Sequence, residues 1–302
     1  MLLVERIRMK SNQTVLFVSR IAIGLLVLVL SQVALAETLD AQSESHLAVL
    51  YAQVTALDGP DARMDASQAF KEALKEQLYS PDAFEYPFDS LRMCKMLSPD
   101  KRFRIFNWNV PLANGVEHYE AILMIPDAKT GMVKLIDLVD TSAEMDKVES
   151  RVCKPENWFG ALYYDIIPFK KGGGDHYILL GWDGDSRITT KKVIEVISFS
   201  GSTVRFGAPV FKTEEGMKKR ILFTYAEQIS MSIVYQEKEK RIIFDHLAPR
   251  DQSLKGQYQF YGPDMSHDAL ELKKGKWYWV SNAEFKRKRT GKDKDFNDPR
   301  RN

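Results

Sequence analysis

From Lys101 onward, apolar and polar positions alternate in short aromatic and β-branched runs, with turn residues every 10 to 20 positions. The runs are "KRFRIFNWN", "EHYEAILMI", "GMVKLIDLV", "GALYYDIIPFK", "DHYILLGW", "KKVIEVISF", "TVRFGAPVF", "KRILFTYA", "SMSIVYQE", "KRIIFDHLA", "QYQFYG", "DALELKKG" and "KWYWVSN". Breakers such as Asn114-Gly115, Gly201-Ser202 and Lys274-Gly275 separate several of them. Connections this short favour antiparallel neighbours, because parallel strands need crossovers of a dozen residues or more. The pattern predicts a mainly β fold, a large antiparallel meander closed as a propeller, a barrel or a two-layer sandwich. "DTSAEMDKVESRV" (140–152) is the one helix-like interlude and predicts a short surface helix.

Upstream the period lengthens to that of a helix. "HLAVLYAQVTAL" places Leu47, Leu50, Val54 and Leu57 on one face, after a polar and loose "ETLDAQSES" (37–45). "DGPDARMD" (58–65) interrupts with Gly59 and Pro60. "ASQAFKEALKEQLYSP" then aligns Ala66, Phe70, Ala73, Leu74 and Leu78, with Asp65 or Ser67 as cap and Pro81 as stop. Two helices this short bury too little to stand alone. The hairpin is therefore expected to dock on the β region through Phe70 and Leu74. This gives an N-terminal linker and helical hairpin over 37–97 and an antiparallel β domain over 98–285.

Both ends of the chain differ from this body. "IAIGLLVLVLSQVALA" (21–36) is an apolar run behind a basic flank, and it closes on Ala34-Leu35-Ala36, the small-x-small pattern of a cleaved signal peptide. Sixteen residues is short for a bilayer span of about 20. The expectation is export over 1–36, periplasmic or secreted, with no integral membrane segment after cleavage; an uncleaved anchor is the rival. The leader before the run is long, and a start at Met9 gives a more usual one. Residues 286–302 hold eight Lys/Arg against three Asp and no apolar periodicity, the pattern of a disordered basic tail. Contact with an anionic envelope surface is its one suggested partner.

Charge sharpens the picture. Net charge is +2 over 302 residues, with +3 in 1–36 and +5 in 286–302, which leaves −6 for 37–285. An acidic body argues against nucleic acid as a partner, since phosphate neutralisation needs a basic surface. The 44% hydrophobic and 28% charged composition is that of a folded globular protein.

Candidate chemistry is sparse. "YILLGWDGDSRITTKKVIEVISF" (177–199) holds Asp183, Gly184 and Asp185 between two strands. A hairpin turn is the commoner meaning of Asp-Gly, with Gly184 supplying a positive φ. The sharper alternative is a weak divalent-cation loop on Asp183 and Asp185, although the regular ligand spacing of a calcium loop is missing and Arg187 is near. Trp277 and Trp279 fall on one face of a strand, as do Tyr258 and Phe260. They are core residues, or, if exposed, a platform for a sugar ring or a protein partner. Cys94 and Cys153 form a disulfide or remain two buried thiols. His246 after Asp245 suggests an oriented base or a local hydrogen bond at a strand end. "KKGGGDHY" (170–177) leads into a strand, not a helix, and so lacks the geometry of a phosphate cradle. No paired zinc motif and no Gly-x-Ser-x-Gly elbow occurs, so no catalytic residue is assigned and no cofactor is called for.

The stretches "SPDKRFRIFNWNVPL", "GALYYDIIP", "YILLGWDGDSRITTKKVIEVISF", "KRILFTYAEQISMSIVY", "RIIFDHLAP" and "QYQFYGPD" resemble exported, uncharacterised proteins of the Bacteroidetes type, over roughly residues 45–280. The resemblance implies an exported single unit and carries no activity. "SPDKRFRIFNWNV" also has the look of a strand opening a propeller blade. Two functions stand as expectations: a non-catalytic envelope or secreted binding protein, and an extracytoplasmic hydrolase of glycans or esters. The hydrolase requires convergence of two or more of Asp183, Asp185, Asp245, His246 and Asp264 in one cleft; the binding protein requires aromatics there.

Overall fold

The computed structural model describes residues 39–285 apart from 128, 129, 131 and 202. The signal peptide expected over 1–36 and the disordered basic tail expected over 286–302 lie outside the described residues. Two helices, α1 (Ala41–Ala56) and α2 (Pro60–Leu78), open the chain. The strands follow as β1 (Cys94–Leu97), β2 (Arg104–Pro111), β3 (Glu117–Pro126), β4 (Val133–Val139), β5 (Leu162–Lys171), β6 (Gly174–Asp183), β7 (Thr189–Ser200) and β8 (Thr203–Phe206). After these come β9 (Phe211–Thr213), β10 (Gly216–Lys218), β11 (Arg220–Ala226), β12 (Ile233–Gln236), β13 (Arg241–Pro249), β14 (Tyr261–Lys273) and β15 (Lys276–Val280).

Among the described residues three open sheets result, and no barrel closes. The first runs β1-β2-β3-β4; the second runs β11-β7-β6-β5, with β8 also on β7; the third runs β10-β9-β15-β14-β13-β12. Every pairing is antiparallel except β9 with β15. The three sheets stack, and the helical hairpin covers the outer face of the first. Three apolar cores lie between these layers. Phe70, Leu74 and Leu78 meet Phe106, Trp108 and Ile122 between helices and first sheet. Ile105, Tyr119 and Leu123 meet Tyr163, Leu179 and Val193 between first and second sheets. Ile178, Leu180 and Ile194 meet Phe244, Leu270 and Trp277 between second and third.

The middle sheet explains the apolar run "YILLG". Tyr177 and Leu179 face the first sheet, while Ile178 and Leu180 face the third. A strand buried on both faces is continuously apolar; one with a wet face alternates.

The helices begin earlier than the apolar period suggests. Asp40 accepts the Ser43 N–H at 2.7 Å and caps α1, so the polar 41–45 stretch forms its first turn. Pro60 opens α2 directly after Gly59, whose φ is 86°. Proline suits that position because its missing N–H has no helical partner there. Neither Asp65 nor Ser67 caps this helix. Ser67 is buried and accepts the Trp108 indole N–H at 2.9 Å, tying α2 to β2. The surface helix expected over 140–152 is absent. That segment makes isolated 3-10 turns at Ser142–Glu144 and Val148–Ser150. It is drawn onto the sheets by backbone bonds such as Lys219 N–H to Glu149 O at 2.8 Å. "QYQFYG" is strand only at its end: Tyr258–Phe260 is a 3-10 turn in the β13–β14 connection, and Tyr261 opens β14.

Candidate functional site

The loop after β6 is held by its own residues together with Tyr119 of β3. Asp183, buried at the end of β6, accepts the Tyr119 hydroxyl at 3.1 Å and the Asp185 N–H at 2.9 Å. The Tyr119 oxygen accepts the Gly184 N–H at 2.7 Å. Asp185 takes the Thr189 hydroxyl at 2.5 Å and the Lys191 ammonium, which also stands 3.7 Å from Asp183. Lys191 thus lies against both carboxylates, where a cation ligated by them would sit. Among the described residues no group of three His, Cys, Asp or Glu side chains forms a metal cluster. The left-handed residue of this turn is Asp185, with φ 56°, and not Gly184. Gly184 is required for space: a Cβ there stands 2.7 Å from Glu117 Cγ and 3.1 Å from the Trp182 ring. Burial pushes the Asp183 carboxyl up against the opposing pull of Lys191. Burial also raises Glu117, with Asp183 adding to it and the Asn109 amide opposing.

The aromatics divide. Trp277 is fully buried between the second and third sheets, and its indole N–H has no partner. Trp279 packs beside it on Phe223 and Phe244, at ring separations of 5.9 and 4.9 Å. Both tryptophans share a face, as alternation requires, but that face is the core. They form no surface platform. Tyr258 and Phe260 are exposed, at 49% and 41%.

The cysteines are free thiols, so the disulfide is not formed. Cys153 lies in the core between first and second sheets, 3.8 Å from Met145 Sδ and 3.7 Å from the Arg220 guanidinium. Burial raises both thiols, which makes them inert rather than nucleophilic. Cys153 borders a polar network that the sequence gives no sign of. Arg220 and Glu195 face each other across β11 and β7, both fully buried and ion-paired. The Tyr163 hydroxyl donates to Glu195 at 2.6 Å and accepts the Trp158 N–H at 2.7 Å. Arg220 also donates to Val148 O at 2.6 Å. With every group paired and no access to solvent, this network orders the core and presents nothing to a ligand.

One concavity is lined by a residue of each functional expectation, Phe260 and Asp264. A cleft of about 480 Å³ lies between the end of β11 and the β13–β14 connection. Ile229, Pro249, Phe260, Tyr261 and Pro263 form its apolar wall, and Gln228, Arg250, Gln259 and Asp264 supply polar groups. The lip is fixed by Arg250 N–H to Phe260 O at 2.9 Å and Gly256 N–H to the Tyr261 hydroxyl at 2.9 Å. Tyr258 packs on Tyr261 with ring centres 5.1 Å apart, which extends the aromatic surface outward.

Beside the cleft the β13–β14 ladder breaks. Asp245 stands opposite His267 and Leu247 opposite Pro263, so Asp264, Met265 and Ser266 all bulge against His246 alone. Met265 is left-handed, with φ 71°, and 94% exposed. Bulges of this kind re-aim side chains and are frequent beside binding sites. The partner of His246 is not its neighbour Asp245 but Asp268, with Nδ1 2.8 Å from Oδ2. Asp268 is buried and its other oxygen accepts the Asn282 N–H at 3.0 Å. Asp245 is occupied by the Ser232 N–H at 2.7 Å and lies 3.4 Å from His267. The Ser266 hydroxyl and N–H donate to Asp264 and hold its carboxyl below the usual range; His246 adds to this.

Two or more of five residues were required to converge in one cleft; Asp264 alone lines this one, and His246 stands beside it across the bulge, within electrostatic reach of Asp264. Asp245 belongs to the adjoining pair, and Asp183 with Asp185 lies in the loop after β6. Asp268 was missed because it sits 22 positions from His246 in sequence, and only the strand register joins them. Comparison with protein-family models, with curated proteins and with solved structures finds no match.

Proposed function

We propose that this is an exported binding protein whose site is the cleft between β11 and the β13–β14 connection, and that it takes a ring-bearing polar ligand of the glycan class. The observation that carries the reading is the make-up of that cleft: an apolar aromatic wall with four polar side chains, the composition of a small-ligand site. Exposed Phe260 and Tyr258 offer a flat apolar face, and Gln228, Arg250, Gln259 and Asp264 offer donors and acceptors for hydroxyl groups. The leader at 21–36 supports a position outside the cytoplasm. Titration calorimetry with chitohexaose, maltohexaose and laminarihexaose tests it. At least one should bind, and Phe260→Ala should weaken it by about tenfold, the scale of an anchoring aromatic. No heat with any of the three, or binding indifferent to Phe260, overturns it.

The His246–Asp268 pair favours a second reading, an extracytoplasmic hydrolase. A buried carboxylate fixes Nδ1 of a half-exposed imidazole, the arrangement of an oriented general base. Turnover of the bound oligosaccharide, or of a p-nitrophenyl ester, that is lost in His246→Gln supports it. Binding without turnover leaves the binding protein alone.

A further inference from the structure

A second concavity lies elsewhere, between the free edges of two stacked sheets. Among the described residues β5 pairs only with β6, and β12 only with β13. Between them runs a groove of about 590 Å³. Ile166, Pro168 and Val234 give it apolar walls, and Phe285, whose ring stacks on His267, adds to the lining. Val234 and Phe285 are each 44% exposed, more than a side chain with a covered role needs. Three carboxylates, Asp165, Glu237 and Glu239, line the same groove against one cation, Lys238.

The edge of β5 is poor in donors. Pro168 has no N–H, and the Ile166 N–H is already taken by Asp165 Oδ1 at 2.8 Å. These are devices that stop an edge from adding another strand. The groove is therefore unsuited to sheet extension through β5 and suited to a partner that brings donors of its own. Asp165 is the focus. It stands at the bulge in β5, between Tyr163 and Ile166, and within electrostatic reach of Tyr235 across the groove. Burial pushes its carboxyl up, relieved only by the Ile166 N–H, and no lysine or arginine contributes. A carboxylate half removed from water without a cation is a charge the fold holds at a cost, and an incoming ammonium or guanidinium removes that cost.

We propose that the groove between β5 and β12 binds a short peptide segment of a partner protein, with a Lys or Arg side chain on Asp165 and apolar side chains against Ile166, Val234 and Phe285. Glu237 and Glu239 at the rim attract the same charge and speed encounter. The assignment is independent of the glycan cleft, which shares no lining residue with it.

The test uses the full chain and fluorescein-labelled peptides, read by fluorescence anisotropy. Val-Lys-Val-Lys-Val should bind, and Val-Glu-Val-Glu-Val should not. Binding should weaken with salt, as exposed charge pairs do. Asp165→Asn should weaken the lysine peptide by about tenfold and Glu237→Gln by less, since a rim charge contributes less than a desolvated one. Asp165→Asn removes an unfavourable charge, so its melting temperature should not fall and should rise at neutral pH; exposed Glu237 provides a second variant with no folding role. Equal binding of the two peptides, or binding unchanged in both variants, overturns the proposal. A peptide of residues 286–302 is the last arm. If it binds at Asp165 more than tenfold tighter than the model peptide, the occupant is the chain's own basic segment and the partner assignment falls.

Discussion

A Cβ on Gly184 would stand 2.7 Å from Glu117 Cγ and 3.1 Å from the Trp182 ring. Gly184→Val should therefore destabilise by about 1–3 kcal/mol, as overpacking does, read from urea unfolding. Gly184 lies outside the left-handed region, so the cause is crowding and not φ. Millimolar calcium should leave the melting temperature unchanged, because Lys191 already stands on both carboxylates. A rise of a few degrees abolished by Asp183→Ala would make the loop an ion site. Glu117 and Asp183 carry a pH signature. Both carboxyls are raised by burial, so each favours the fold fully below its unfolded pKa and loses that contribution as pH rises through the folded value. Glu117→Gln should accordingly gain stability over the parent at pH 7 and lose the gain by about pH 3, where the parent carboxyl is protonated in both states. An equal difference at both values would show that lost packing, not charge, is being measured. The sequence marks Asp-Gly as a turn but cannot reveal its crowding. Glu117 lies 67 positions away and meets Gly184 only where the β2–β3 hairpin end abuts the loop after β6.

The helical hairpin and the strand pairs set the next scale. Phe70 and Leu74 are fully buried against β2, with the Phe70 ring 5.1 Å from Trp108. Truncating either to Ala should cost about 2–5 kcal/mol in chemical denaturation. A loss under about 0.5 kcal/mol at both would mark the helices as an appendage. The helical period pointed to these residues because one apolar stripe must bury somewhere. The Glu195–Arg220 pair between β7 and β11 behaves differently. Arg220→Met should cost about 3–5 kcal/mol, because Glu195 is left charged and buried. Glu195→Gln with Arg220→Met should recover much of that loss, which a double-mutant cycle reads directly. In sequence these are an ordinary acid within "KKVIEVISF" and an ordinary base opening "RILFTYA". Their partnership depends on register, and register is fixed by the burial of both faces of the middle sheet.

At the scale of the molecule, three open sheets stack under a helical cover. N-terminal sequencing of the mature protein should give Glu37 first; an intact chain from Met1 or Met9 in a membrane fraction would favour an anchor. The expected meander is realised, and its closure is not that of a propeller or barrel. The local periods settle helix against strand, since 3.6 and 2 are properties of the backbone. Short connections settle antiparallel pairing for the same reason of reach. Those determinations belong to the sequence alone, together with the docking face of the hairpin and the core character of most aromatics. The stacking of a third layer belongs to the tertiary structure, because a continuous apolar run shows that both faces of a strand are covered but not which elements cover them. So do the pairing of His246 with Asp268, the exposure of Phe260 in a turn, and the groove at Asp165. Each depends on which distant segments the register and stacking bring within a few ångströms, and alternation along one strand carries no information about its neighbour across the core.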